Sequence, residues 1–285
     1  MTSTTTPLNG NRLIFFSPTH TSAQIARAIG EGIGMGRRME TDLTLNESYS
    51  PIELEGELCV IVTPVYGGRI PALALQRLQR LKGNGAPAIL GVVYGNRDYE
   101  DALLELRDTA IQLGFVPLTA GAFIGEHSYS TPELPIAAGR PDTDDLLQAR
   151  EFGKASLKKW NHLHTTDAPI PELTVKGNFP YKSWTPGTPA CPTCTESCFA
   201  CGECIEVCPT HAIHFNADQT LVGTALNLLG PAAAVVIVRA INMAEKPDNV
   251  SSTVAYKVAK KAFLIRIGKF EFSWFMLFAL LILLA

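Results

Sequence analysis

Over residues 12–160 short apolar runs alternate with stretches of helical periodicity, and this alternation restricts the fold more than any other feature of the chain. Arg12–Phe16, Glu57–Thr63, Ala88–Tyr94 and Phe115–Phe123 read as buried strands, with a weaker strand at Met39–Leu43. Thr21–Arg37, Pro71–Lys82, Tyr99–Gly114 and Asp142–His162 carry helical patterns between and after them. Pro71 suits a first helical turn, Gly114 a helix end, and Asp98 a cap before the helix that Tyr99 opens. Gly30, Gly32, Gly34 and Gly36 are expected to weaken the second half of the first helix. Five strands separated by helices predict an α/β fold with a doubly wound parallel sheet. Ligands of such sheets sit at the carboxyl ends of the strands.

The loops at those ends carry the candidate ligand groups. Ser17-Pro18-Thr19-His20-Thr21-Ser22 follows the first strand. Hydroxyls and free backbone N–H groups at a helix N-terminus make an anion site; the plainer alternative is an ordinary N-cap. After the third strand, Gly67 and Gly68 let the backbone approach a flat ligand, and Tyr66 is able to stack on it; the alternative is a turn with a surface tyrosine. After the fourth strand, Gly95, Asn96 and Tyr99 add a further glycine, a polar group and a second aromatic. Together the three loops place a phosphate cradle and two aromatic walls on one sheet edge, the makings of a flavin mononucleotide (FMN) site.

Of the seven cysteines, Cys59 lies alone in an apolar run and reads as a small core residue. The other six fall between Cys191 and Cys208. Cys198, Cys201, Cys204, Cys208 and Pro209 spell C-x2-C-x2-C-x3-C-P, and Thr210-His211-Ala212-Ile213 continues the pattern. This bacterial ferredoxin run wraps three thiolates around one [4Fe–4S] cluster, while its fourth normally ligates a second cluster. Structural zinc is the alternative, because Cys191 with Cys194 and Cys198 with Cys201 form two CxxC pairs. The C-x3-C-P ending is not a zinc signature. His211 and His214 read as exposed polar residues rather than ligands. No cysteine follows Cys208. Cys191 or Cys194 is near enough in sequence to supply a fourth thiolate. Otherwise the single cluster is incomplete or completed by another chain.

Residues 12–160 resemble flavodoxin-like domains, and FSPTHTSAQIA, PVYGGRIPA, VVYGNRDYEDALLEL, AFIGEHSYS and AAGRPD resemble the fused flavodoxin–ferredoxin proteins of anaerobic bacteria and archaea. The resemblance implies that Ser17, Thr19, Thr21 and Ser22 bind the FMN phosphate and that Tyr66 and Tyr99 flank the ring. Many flavodoxins carry a glycine where this chain has His20, whose side chain would narrow the cradle. The resembled family carries two cysteine runs, each lending its last cysteine to the other cluster; this chain has one.

The expected organisation is a flavodoxin-like domain over 1–164, then a Pro-rich linker over 165–190 packing through Phe179, Tyr181 and Trp184. A ferredoxin-type segment over 191–220 and a tail over 221–285 follow. The tail departs from the family and is basic, with 7 Lys+Arg against 3 Asp+Glu from Arg239 onward, whereas the chain before it has 17 against 24. Lys257, Lys260, Lys261, Arg266 and Lys269 precede the apolar stretch Phe272–Ala285, too short for a full span but suited to an anionic membrane surface. The tail reads alternatively as a packing element or as the product of a changed reading frame.

The overall net charge of −3 gives no reason to expect nucleic acid. The opening residues lack a charged segment followed by a long apolar run, so a cytoplasmic location is expected, with peripheral membrane contact through 257–285 as the alternative. The expected role is electron relay between FMN and one 4Fe–4S cluster, with ferredoxin-like donors or flavin-dependent acceptors as partners. One alternative is a flavin-dependent reductase using Arg69, Arg97 and His127 on a small substrate. The other is a non-catalytic module with a vestigial cysteine segment.

Overall fold

The computed structural model describes residues 8–45, 48–183 and 200–217, together with the backbone of four strands at 190–194, 221–223, 263–267 and 270–272. The chain divides into two units, Met1–Ser183 and Trp184–Ala285.

In the first unit a five-stranded parallel sheet contains β1 (Asn11–Phe15), β2 (Arg38–Asp42), β4 (Leu58–Pro64), β6 (Pro87–Tyr94) and β7 (Val116–Ile124), in the order β2-β1-β4-β6-β7. Counted along the sheet strands alone this is 2-1-3-4-5, the flavodoxin-like order. β3 (Ile52–Glu53) and β5 (Leu81–Lys82) form a small separate parallel pair that the sequence did not signal. Every residue of β4 is buried, which is why this strand reads as an unbroken apolar run. Its alternate residues serve opposite faces: Cys59 and Ile61 join Leu90, Leu78 and Leu106, while Leu58, Val60 and Val62 join Leu13, Ile29 and Ala149.

Four helices cover the sheet: α1 (Thr21–Ile33), α2 (Ala72–Leu78), α3 (Ala102–Gln112) and α4 (Thr143–Thr165). Of the glycines expected to weaken α1, Gly30 and Gly32 serve its packing, and Gly36 lies beyond its end. A Cβ on Gly32 would overlap the backbone carbonyl of Arg150 in α4, and one on Gly153 would overlap that of Ile29. Gly30 lies against Leu13, and Gly34 ends the helix at φ 64, which a side chain resists. α4 opens on a reciprocal capping box between Asp142 and Asp145. α3 begins later than its periodicity suggested. Asp101, not Asp98, holds the N-cap position, and Asp98 accepts from the Glu100 N–H instead.

The Pro-rich segment following α4 is held against this unit as far as Ser183. The Asp101 carboxylate is 3% exposed and accepts from the backbone N–H groups of Asn178 (2.8 Å) and Lys182 (2.6 Å) and from the Asn178 side chain. These hydrogen bonds outweigh the desolvation of the carboxylate and hold its pKa below the usual value. Tyr181 donates to Asp108 at 2.6 Å, and Val175 packs on the core. Gly177, at φ 148, leaves no room for a Cβ beside Leu104. Phe179 is instead 79% exposed, and Trp184 lies outside the described residues.

In the second unit β8 (Ala190–Cys194) pairs antiparallel with β11 (Phe263–Ile267), which pairs with β12 (Phe270–Phe272). A short helix α5 (Glu203–Glu206) precedes the antiparallel pair β9 (Ile213–Phe215) and β10 (Leu221–Gly223). Cys198, most of the tail after Gly223, and its Lys257, Lys260, Lys261 and Lys269 lie outside the described residues. Among the described residues no helix is long and apolar enough to cross a membrane.

Candidate functional site

The loop after β1 turns through Ser17–His20 into α1. The Ser17 hydroxyl, buried beneath the helix start, accepts from the Ala23 N–H at 3.0 Å. Its backbone N–H donates to Thr44 Oγ1 at 2.8 Å. Thr44 belongs to the loop after β2, whose Leu43 and Thr44 carbonyls both accept from the buried Arg77 guanidinium of α2. Thr19 and Thr21 bring their hydroxyls within 3.3 Å of each other. Ser22 is fully buried, and its hydroxyl has no hydrogen-bond partner among the described residues. A buried orphan hydroxyl at a helix N-terminus is what a phosphate oxygen would satisfy, so this loop fits the phosphate of FMN.

His20 stands at the helix start with φ 62 and an exposed side chain. The position needs a left-handed backbone, which explains the glycine preferred by flavodoxins, and histidine is among the residues that tolerate it. Replacing His20 with glycine is expected to stabilise the unit by about 1 kcal/mol through relief of this conformation. Urea unfolding reads the change, and a lowered midpoint would contradict the account.

The second loop is a tight hairpin. Tyr66 and Arg69 exchange backbone hydrogen bonds (3.0 and 3.2 Å) around Gly67 (φ 59) and Gly68 (φ 83), the signs of a type I′ turn. Nothing lies within 4 Å of where a Gly67 Cβ would stand, whereas Gly68 is closed over by the Glu100 side chain. Tyr66 is half-buried, and desolvation raises the pKa of its phenol. In the third loop Gly95 is closed over by His127, whose Nδ1 accepts from the Tyr129 N–H at 3.0 Å. Asn96 is exposed at φ 62. Tyr99 is half-buried, edge-on to Tyr94 with centroids 5.4 Å apart.

The loops after β1, β4, β6 and β7 thus share one edge of the sheet, linked by Asp101 N–H to Gly68 O (3.0 Å) and Gly125 N–H to Tyr94 O (2.9 Å). Of the three residues considered for substrate contact, Arg69 is committed inward. Its guanidinium forks onto Glu105 (2.5 and 2.8 Å), donates to the Lys182 carbonyl and lies over the Tyr181 ring. Arg97 pairs with Glu100, and His127 packs on Gly95. Sequence reading missed Asp101 and Glu105. The available signal was their spacing: two acids four apart on a helix whose neighbouring residues are apolar.

In the cysteine segment Ala200 (φ 56) and Gly202 (φ 79) bend the chain before α5. Cys201 is exposed, Cys204 is 5% exposed, and Cys208 is fully buried with Ile213 and Ala212 also in the interior. Among the described residues no three His, Cys, Asp or Glu side chains are gathered as a metal site, so it is the spacing of the run, not the placement of these three thiols, that suits iron and sulfide. Cys198 lies outside the described residues, and for Cys191 and Cys194 the backbone of β8 is described without their side chains. His211 and His214 are exposed. Cys59 is fully buried, and desolvation pushes its thiol up to about 12, so it stays protonated in the core.

Residues 195–214 match the family model of the 4Fe-4S binding domain, which indicates a 4Fe–4S cluster. The chain matches no curated protein. Among solved structures it is similar to a flavodoxin from the domain Archaea: 12% identity, covering 54% of this chain and 99% of that one, with a TM-score of 0.36. It is also similar to rubredoxin oxygen:oxidoreductase from Desulfovibrio gigas (13% identity, 55% of this chain, TM-score 0.40), of whose length it spans 37%. Megasphaera elsdenii flavodoxin gives 12% identity over 52% of this chain and 98% of that one, with a TM-score of 0.34. A flavodoxin-like unit defined by its strand order and followed by a 4Fe–4S segment defines the class: electron-transfer chains. The arrangement fits a flavodoxin–ferredoxin fusion.

Proposed function

We propose that this chain relays electrons between FMN held by the first unit and a 4Fe–4S cluster held by the cysteine segment. The observation that carries the proposal is the C-x2-C-x2-C-x3-C-P run on the same polypeptide as a 2-1-3-4-5 sheet. The flavin, when bound, exchanges one or two electrons and the cluster one, so the pair joins a two-electron carrier to a one-electron carrier. The protein's part is to bind and orient. Thr19, Thr21, Ser22 and the α1 N-terminus would hold the phosphate, with Ser17 fixing the loop beneath it. Tyr66, Tyr99 and the Gly67, Gly68, Gly95 and Asn96 backbone would border the ring. Cys198, Cys201 and Cys204 would ligate iron, with Cys191 or Cys194 as the fourth ligand. Redox proteins would be its partners. The inward commitment of Arg69 to Glu105 weighs against a separate substrate site built on that residue.

The full chain, purified without oxygen, is expected to carry flavin, iron and acid-labile sulfide together. Rapid mixing with a reduced ferredoxin-type donor should bleach the iron–sulfur and flavin bands in sequence. Material with neither chromophore would end the proposal. Turnover of a small oxidant with no exchange with the donor would replace it with a reductase.

A further inference from the structure

The Pro-rich segment has a second feature, independent of its backbone anchorage on Asp101. Lys176 lies over the Tyr99 ring with its Nζ 4.8 Å from the centroid, and the same Nζ donates to Asp98 at 2.8 Å. A cation over an aromatic face is an electrostatic contact with the ring quadrupole. Lys182 likewise reaches Glu100 at 2.7 Å, so both lysines end on the short loop between β6 and α3. This loop carries Gly95, Asn96 and Tyr99. Gly68 of the neighbouring hairpin is closed over by Glu100, the partner of Lys182. The segment is therefore built into the third loop rather than merely passing it.

We infer that residues 173–182 form an additional wall of the flavin site and that Lys176 is a positioning residue, acting through Tyr99, that raises the reduction potential of the bound flavin. The inference rests on the FMN reading above. Reduction adds negative charge to the flavin, and a fixed cation behind the flanking ring favours that form over the oxidised one. Lys176 and Asp98 offset one another in the wild type, so removing Lys176 leaves one uncompensated carboxylate charge on this loop, and that single change disfavours the reduced flavin.

The test is spectroelectrochemical titration of the full chain carrying FMN, beside FMN binding, for wild type, Lys176→Gln, Lys176→Arg and a remote control, Lys154→Gln. Lys154 pairs with Glu151 on the surface of α4, and Lys176 itself is 55% exposed, so none of these changes threatens folding. In Lys176→Gln the affinity for reduced FMN should fall about tenfold more than that for oxidised FMN. That ratio is about 30 mV toward negative potential for a two-electron couple. Lys176→Arg keeps charge and ring contact and should restore the wild-type potential. A Lys176→Gln potential equal to that of Lys154→Gln, with FMN bound in both, would overturn this inference alone. A wild-type chain that binds no FMN would overturn it together with the flavin reading.

Discussion

Replacing Gly32 with valine should leave the first unit unable to fold. A Cβ at this position would stand 2.7 Å from the carbonyl carbon of Arg150 and closer still to its oxygen, and both atoms belong to the backbone of α4. A side chain could rotate away; a helix backbone cannot. Ordinary contact is about 3.5 Å, so the two helices would have to separate along their whole line. Gly153 makes the reverse approach to Ile29, so neither helix has slack to give. Separation would open the packing of Ile29, Ile33 and Ala149 against Leu13 and Leu118. Overpacking against side chains typically costs 1–3 kcal/mol; against backbone we expect more than about 4 kcal/mol, much of the stability of an ordinary domain. Gly36→Ala is the contrast, because nothing lies within 4 Å of its would-be Cβ. Urea unfolding should show Gly36→Ala near wild type and Gly32→Ala already severely destabilised. Equal midpoints for the two alanine variants would refute the close-approach argument.

Cys201→Ser and Cys204→Ser are each expected to lower iron and sulfide content on the order of tenfold or more. Loss of groups that merely support a ligand commonly costs 10–100-fold in metal affinity, and loss of a thiolate itself should cost at least as much. Cys208→Ser should behave differently. In this run the last cysteine normally serves another cluster, and the chain has no later cysteine to build one. Cys208 is buried, its sulfur 3.3 Å from the Thr210 hydroxyl, and its serine variant should keep most of its iron. One of Cys191→Ser and Cys194→Ser should match Cys201→Ser. Iron retained in Cys201→Ser would refute the ligand assignment, and iron lost in Cys208→Ser would make Cys208 the fourth ligand. Cys59→Ser, far into the sheet, should leave iron untouched.

What the sequence disclosed follows from which interactions are local. β4 and β6 are covered on both faces, so their burial is written as continuous apolar runs, and their limits were legible to within a residue. The cysteine spacing is likewise local, because neighbouring ligands must reach one cluster. The use of Gly32 was not legible, because propensity registers only a glycine's entropy, whereas its contact is with a helix more than a hundred residues later. Asp98 looked like a cap by position, yet the chain turns once more and Asp101 takes that place, its carboxylate held by residues 178 and 182. The glycines of the second and third loops read as room for a flat ligand, whereas the groups that close over Gly68 and Gly95 are the side chains of Glu100 and His127, contacts that no local pattern announces.

Arg77 ties two distant parts of the first unit together. From α2 it grips the Leu43 and Thr44 carbonyls, and Thr44 in turn receives the Ser17 N–H. The first loop is thus braced from below before any anion arrives. An incoming phosphate would find its seat already set, with little disorder left to remove, so retention of the ligand should depend on a guanidinium that never touches it.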